Sequence, residues 1–517
     1  MDHDRHSRIA IVSAAGIFPD AADLEQFWQN IVDGRSAIHP VPAERWPVPP
    51  ETVYDPAGRP DKARSLNAGL IQNFTFRAEG FDVPPATLQA LDPMHHLVLE
   101  AGRRAWQACR RDTVDTHRVD IILAAIALPT EAASRMTRRV LLQAAERSLF
   151  HQASPTPPQR LGASEVMAGF PAALLAAALA LGGDTLTLDA ACASSLFAIK
   201  LACDALQAHR ADAVLAGGVA RPDSLYTQIG FTQLQALSRS GRCAPFDRSA
   251  DGLVVGEGCG IVVLKRLTDA VAHGDTIHGV ISGLGLSNDM RGNLLAPDAA
   301  GQLRAMQAAY AAAGWDPRDV DLIECHGAAT PVGDATELRS LQTLWGTDGW
   351  QPGQCAIGSV KSMIGHLLTA AGAAGLIKVL LGLRHGFFPP SLNFTEAPAQ
   401  SPLGDGPFRV QTAAAPWERR SPATPRRAAV SAFGFGGINA HLLIEEWRPA
   451  APAAAPAVVS RASASKTDDP IAVVGLDTLM GPADGLQAFQ EILFPGRPGF
   501  ETPPDSRWKS CRPWLVD

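Results

Sequence analysis

From its first residues to about Trp447 the chain alternates short apolar runs with longer Ala/Leu-rich runs, and this alternation narrows the fold more than any other feature. Ile9-Ala-Ile-Val-Ser13, Val119-Asp-Ile-Ile-Leu123, Thr185-Leu-Thr-Leu-Asp189, Ala213-Val-Leu-Ala216, Gly260-Ile-Val-Val-Leu264 and Ala428-Ala-Val-Ser431 read as strands. Continuous apolar strands need cover on both faces, and helices between successive strands supply it. The pattern predicts an α/β fold with layered, mixed but mainly parallel sheets. With 517 residues, 46% of them hydrophobic, the chain has the length of roughly three domains, or of one large duplicated α/β body with additions.

The charge pattern excludes some partners. The formal net charge is −7 with both signs interspersed, so no basic stripe offers itself to nucleic acid. The polar start Met1–His6 has no apolar segment behind it, which argues against a signal peptide. The apolar stretch Ala172–Leu181 is too short to span a bilayer and reads as a buried helix. Eight cysteines occur without a C-x-x-C pair, so no zinc or other metal site is expected, and reduced thiols in a cytoplasmic setting are.

Residues 448–468 lose the periodicity. They are rich in Pro, Ala and Ser and read as a linker. Beyond them the opening of the chain recurs. Ile471-Ala-Val-Val repeats Ile9-Ala-Ile-Val. In the same ungapped register Leu24 matches Leu486, Phe27 matches Phe489, Gly34-Arg35 matches Gly496-Arg497, Pro42 matches Pro504 and Arg45-Trp46 matches Arg507-Trp508. Residues 469–517 are therefore expected to open a second copy of the first domain, cut short.

Three loops carry candidate chemistry. Cys192 sits between the strand Thr185–Asp189 and a helix from Ser194 to Leu206. The free N–H groups at a helix start favour a thiolate, the form that attacks thioesters. An isolated cysteine is more often a small buried hydrophobe, and Cys109, Cys203, Cys243, Cys259, Cys355 and Cys511 are read so. His326 follows the apolar run Leu322-Ile-Glu-Cys, where strand ends in open α/β sheets carry active sites. His366 precedes the helical stretch Thr369–Lys378, five residues after Lys361. Two neutral imidazoles beside a cysteine suit the stabilisation of an enolate oxygen as it forms. The third loop is Ser431-Ala-Phe-Gly-Phe-Gly-Gly-Ile-Asn-Ala-His441. Its Gly-Phe-Gly-Gly spacing is neither a dinucleotide nor a P-loop pattern. It reads either as a tight structural turn or as an aromatic lid with backbone N–H groups over an acyl site.

Together these motifs resemble the β-ketoacyl synthases of the thiolase fold. The resemblance spans residues 8–447, with an N-terminal half of about 8–268 and a C-terminal half of about 275–447. It rests on Asp189-Ala-Ala-Cys-Ala-Ser-Ser195, Glu324-Cys-His-Gly-Ala-Ala-Thr330, Lys361 to His366 and Gly434-Phe-Gly-Gly-Ile-Asn-Ala-His441, in that order. Arg239–Arg248, Asp251–Gly258, Pro331-Val-Gly-Asp-Ala-Thr-Glu337 and Pro389–Asn393 are similar too.

The resemblance implies decarboxylative condensation of a carrier-bound acyl chain with a malonyl unit. It makes Cys192 the acyl acceptor and His326 and His366 the catalytic pair that holds the malonyl thioester. It places an oxyanion hole at the backbone N–H groups of Cys192 and Phe435, with Gly434-Phe435 as gate. It gives Lys361 and Glu337 supporting roles and Thr330 a contact to the phosphopantetheine arm of an acyl carrier protein. No other cofactor is implied. A homodimer, or pairing with a chain-length factor, is. One departure stands out: the family usually has Thr and a small residue after His-Gly, where this chain has Ala328 and Ala329. The repeat at 469–517 points to the tandem ketosynthase–chain-length-factor arrangement of polyunsaturated fatty acid synthases. A thiolase acting on coenzyme A esters would carry a second reactive cysteine near the C-terminal glycine-rich loop, and Ser431–His441 has none. A chain-length factor would lack the nucleophile.

Overall fold

The computed structural model describes residues 8–135, 137, 171–291, 296–449 and 472–499. They form two compact units, the first within residues 8–448 and the second containing 472–499. The repeat positions Ile471, Pro504 and Arg507-Trp508, and the linker beyond Pro449, lie outside the described residues.

The first unit is built on an eleven-stranded series. Its strands are β1 (Ile9–Ile17), β2 (Val119–Ala125), β3 (Thr185–Leu188), β4 (Ala213–Ala220), β5 (Gly258–Arg266), β6 (Gly279–Asn288), β7 (Leu322–Glu324), β8 (Cys355–Gly358), β9 (Phe408–Val410), β10 (Arg427–Gly434) and β11 (Ile438–Glu445). The order β9-β8-β7-β10-β11-β6-β1-β5-β4-β2-β3 is two sheets joined by a short seam. Only Ile9–Ile11 pair across it, with Gly279–Ile281. Each half repeats one plan. Parallel strands lie outside (β3-β2-β4 and β8-β7-β10) and two antiparallel pairings lead inward (through β5 to β1, and through β11 to β6). Parallel pairing is thus confined to the outer strands. The tight β10–β11 hairpin makes its two strands antiparallel.

Layering follows from the apolar strands. β4 and β5 are buried along their whole length, as expected for strands covered on both faces. The helices Ser194–Gln207 (α1) and Ala371–His385 (α2) share one core cluster with strands of both halves, so they form the middle layer. Residues 371–383 of α2 are buried throughout. Small residues permit this. A Cβ on Gly372 would lie 2.8 Å from Leu196 Cγ of α1. The helices Pro93–Ala108 and Pro171–Leu179 cover the outer face of the first half. Ala299–Ala313 and Pro331–Trp345 (α3) cover that of the second.

In the second unit the helix Leu486–Leu493 begins at the position matching Leu24 of the helix Leu24–Val32. The turn after it is also repeated. Gly34 (φ 64°) and Gly496 (φ 66°) both adopt left-handed backbone. The Gly496 N–H reaches Leu493 O and the Arg497 N–H reaches Ile492 O, as Gly34 reaches Ile31 and Arg35 reaches Asn30. Met480 pairs with Ala483 as Phe18 pairs with Ala21. The counterpart of β1 is different: residues 472–478 form no strand. Val473 and Val474 are 83% and 97% exposed, whereas the matching Ile11 and Val12 are 0% and 1% exposed. A strand needs neighbours to hold it, and the described residues of this unit supply none.

Candidate active site

Cys192 follows β3 and precedes α1, as the sequence predicts. The turn that presents it is strained, with Ala191 at φ 50°. Ser194 tightens it by accepting the Ala190 N–H at 2.7 Å. Asp189 accepts the Ala191 and Ala127 N–H groups at 2.9 and 2.8 Å. The thiol differs from the sequence-based expectation. Burial pushes its pKa up to about 11, against the lowering effects of the Lys361 charge and of hydrogen bonds from the Phe435 and Cys192 backbone amides. The free protein therefore holds a thiol at neutral pH. The helix start does not outweigh desolvation, because α1 begins two residues further on and Cys192 is only 8% exposed.

The glycine-rich stretch is the end of the β10–β11 hairpin, with Phe435-Gly436-Gly437 as its turn. Gly436 and Gly437 have φ of 83° and 79°, conformations that favour glycine. Gly434 lies against the Cys192 turn. A Cβ there would be 3.1 Å from each of Ala190 O, Ala191 Cβ and Cys192 N. The tight turn and the close approach to Cys192 are thus one feature.

Both histidines reach the same place, and the backbone sets their tautomers. The Phe433 N–H donates to His326 Nδ1 at 3.3 Å, and the Leu368 N–H donates to His366 Nδ1 at 3.0 Å. A ring nitrogen that accepts carries no proton, so both imidazoles hold theirs on Nε2. Burial first, then the Lys361 charge, push both pKa values well below the usual histidine range. The rings meet edge to face with centroids 5.3 Å apart. His366 Nε2 is buried and has no protein partner. Unpaired buried donors cost stability and are rare outside sites that await a ligand.

Lys361 and Glu337 stand behind the histidines. Glu337, 1% exposed, accepts the His326 N–H at 2.7 Å and the Gly327 N–H at 2.8 Å. Burial raises its pKa to about 7, with these hydrogen bonds and the Lys361 charge opposing. Lys361, 3% exposed, is felt electrostatically by Cys192, His326, His366 and Glu337 alike.

Thr330 lines a cavity of about 300 Å³ together with His326, Phe433, Gly434 and Phe435. Cys192 is not on its wall. Phe435, whose ring lies 6.2 Å from that of Phe231, lines the cavity while its backbone amide bonds to the Cys192 sulfur. Ala328 and Ala329 are 4% and 0% exposed and sit in apolar clusters instead of on that wall. The structure thus gathers Cys192, His326, His366, Lys361, Glu337, Gly434 and Phe435. Three things escaped the sequence reading. The amides of Phe433 and Leu368 choose the tautomers. Glu324 forms a buried ion pair with Lys378 at 2.8 Å and accepts the Val360 N–H at 2.6 Å, bracing the start of the Lys361–His366 segment. Asp334 lies on α3 one turn before Glu337, a spacing visible in the sequence as two acids in the first turns after the His326 loop.

Comparison with known proteins identifies the family. Residues 6–270 match the β-ketoacyl synthase N-terminal domain and residues 278–395 its C-terminal domain. The chain belongs to the β-ketoacyl synthase family, condensing enzymes that transfer acyl groups, and its fold is the thiolase-like one. Among curated relatives, it is 35% identical over 450 residues to a mycocerosic acid synthase-like polyketide synthase of Mycobacterium tuberculosis, covering 86% of this chain and 20% of that protein. It is 34% identical over 446 residues to polyketide synthase PksL of Bacillus subtilis, covering 85% of this chain and 9% of that one. The chain thus spans less than a third of these relatives. Among solved structures, it superposes on the PfaC keto synthase–chain length factor with a TM-score of 0.87 at 34% identity, covering 98% of this chain and 55% of that one. The ketosynthase from module 6 of the bacillaene synthase of Bacillus subtilis gives 0.72 at 33% identity, covering 86% and 72%.

Proposed function

We propose that residues 8–447 catalyse decarboxylative condensation on carrier-bound substrates, with Cys192 as nucleophile and His326 and His366 as the decarboxylation pair. The observation that carries this is the pair of neutral imidazoles with protons on Nε2, one of them buried without a partner.

In the first step Cys192 Sγ attacks the carbonyl carbon of an acyl thioester. The Phe435 and Cys192 amides, which already point at the sulfur, hold the resulting oxyanion. The carrier's thiolate leaves, and the proton lost by the cysteine passes to it. Phe435 must swing aside for the acyl chain to arrive. Thr330, on the cavity wall, guides the phosphopantetheine arm. In the second step the malonyl C–C bond to the carboxylate breaks and CO₂ departs. The electron pair forms an enolate whose oxygen receives hydrogen bonds from both Nε2–H groups. The enolate carbon attacks the acyl-cysteine, and the Cys192 thiolate leaves and takes a proton from solvent.

An acyl carrier protein is the partner this chemistry requires. Pairing as a homodimer or with a chain-length factor, and a cytoplasmic setting, fit the free cysteines and the family. Residues 469–517 are read as the opening of a second, chain-length-factor-like domain after the 448–468 linker; the repeated helix and Gly-Arg turn support this.

The test loads acyl-carrier protein and follows Cys192 by intact mass. An adduct absent from Cys192→Ala is expected; equal loading of that variant would refute the nucleophile. Malonyl-carrier protein then tests the pair, where unchanged decarboxylation by both His326→Ala and His366→Ala would refute their role.

A further inference from the structure

The loop that bears His326 is fastened from one side by two carboxylates of the helix that follows it. Glu337 takes the amides of His326 and Gly327. Asp334, 5% exposed, takes the Phe246 N–H at 2.8 Å and the Ala329 N–H. Three of the four residues from His326 to Ala329 are thereby held by their backbone amides. The loop needs such holding, since Gly327 and Ala329 have φ of 34° and 61°. For alanine that left-handed backbone is strained and persists only where the surroundings impose it. The usual cap is missing too: Thr330, at the start of α3, makes no side-chain capping bond. The carboxylates of the first two turns reach back into the loop instead.

Asp334 also faces a second cavity, of about 380 Å³, lined by Phe246, Arg248, Leu338 and Arg339. It touches neither the thioester cavity nor Cys192. The position is that of a group acting through the loop, not on the substrate.

We propose that Asp334 is a positioning residue for the decarboxylation step, fixing the Ala329 backbone so that His326 Nε2–H meets the thioester oxygen. This rests on the role given above to His326. It separates the two half-reactions, because acylation of Cys192 uses the Phe435 and Cys192 amides and not the His326 loop.

The experiment measures both steps in Asp334→Asn. The asparagine keeps the shape but offers one acceptor oxygen to two amides. Decarboxylation of malonyl-carrier protein is expected to lose at least tenfold in kcat at unchanged KM, with the rate of Cys192 acylation within twofold of the parent. Asp334→Ser, which also leaves at most one amide bonded, should show the same split. His326→Ala is run beside them. If it too leaves decarboxylation unchanged, the role of His326 fails. If it abolishes decarboxylation while Asp334→Asn does not slow it, this proposal alone fails. Equal loss of both steps, or failure of both variants to fold, would make Asp334 a structural residue and overturn it.

Discussion

Replacing His366 by asparagine separates the two jobs of its ring. Asparagine carries its Oδ1 where histidine carries Nδ1, so the Leu368 N–H, now 3.0 Å from Nδ1, keeps an acceptor. Its Nδ2 amino group sits where the ring has Cδ2, one atom short of Nε2, so no donor remains at the Nε2 position. One preorganised donor to a developing oxyanion is worth about 3–4 kcal/mol, or roughly 10²–10³ in kcat. Decarboxylation of malonyl-carrier protein should fall by that factor. Stability should fall only slightly. The lost ring atoms leave a small void in a residue that is 1% exposed, costing on the order of 1 kcal/mol. The unpartnered ring donor gives way to another buried donor group, the Nδ2 amino group, so no desolvation penalty is relieved. The melting temperature should stay within about 3 °C of the parent. Acylation of Cys192 should proceed normally, since no step of it uses this ring. The assay follows CO₂ release and the Cys192 adduct on one preparation. Decarboxylation within threefold of the parent, with normal acylation, would refute the tautomer argument.

Three further outcomes follow from the packing and the titrating groups. Lys378→Met should destabilise by about 3–5 kcal/mol because it strands the Glu324 carboxylate, 2% exposed, in the core. The double variant with Glu324→Gln, which keeps an acceptor for the Val360 N–H, should recover most of that in urea melts. Gly434→Ala would force apart contacts of 3.1 Å at the Cys192 turn. It should slow Cys192 acylation at least tenfold while costing roughly 1–3 kcal/mol of stability, read by intact-mass time courses and thermal melts. His441, 0% exposed and bonded to Ser431 at 3.0 Å, is held by burial at a pKa of about 3. Its folded value lies below the unfolded one, so the stability it contributes is present above pH 6.5 and is lost as pH falls toward 3. The deficit of His441→Asn should therefore shrink by about 2 kcal/mol between pH 7 and pH 5; an unchanged deficit in urea melts at the two values would contradict it.

What the sequence disclosed, it disclosed through local pattern. Strands apolar on both faces, as in Gly260–Leu264, announced layers. A cysteine between a strand and an unbroken helix announced the turn that holds Cys192. The ungapped match of Gly34-Arg35 to Gly496-Arg497 anticipated a repeated helix and turn. The long-range facts had no such signal. Nothing near His326 says that Phe433, far along the chain, donates to its Nδ1. Nothing near Glu324 says that Lys378 neutralises it. The charge state of Cys192 was misjudged for the same reason. A helix start is visible in sequence, but the degree of burial that outweighs it belongs to the assembled layers.

That burial has one physical direction with several chemical results. Desolvation disfavours whichever form is charged. It keeps Cys192 a thiol, His326 and His366 neutral, and the Glu337 and Asp334 carboxyls close to protonation at neutral pH. Lys361 adds a positive charge that acts on all of them. Such a site is suited to a reaction that carries its own charge in. In the proposed reaction a malonyl carboxylate entering it would leave water behind, and loss of CO₂ would move the charge to the thioester oxygen. There the two Nε2–H groups would meet it without first giving up a proton. A charged imidazolium would bind the carboxylate itself and so stabilise the ground state instead. On this argument, Lys361→Met should raise both histidine pKa values toward 6.5. The acid limb of the decarboxylation rate would then move to higher pH, while the rate on the alkaline side falls less. A pH–rate profile whose acid limb stays in place would show that burial alone, without Lys361, keeps the imidazoles neutral.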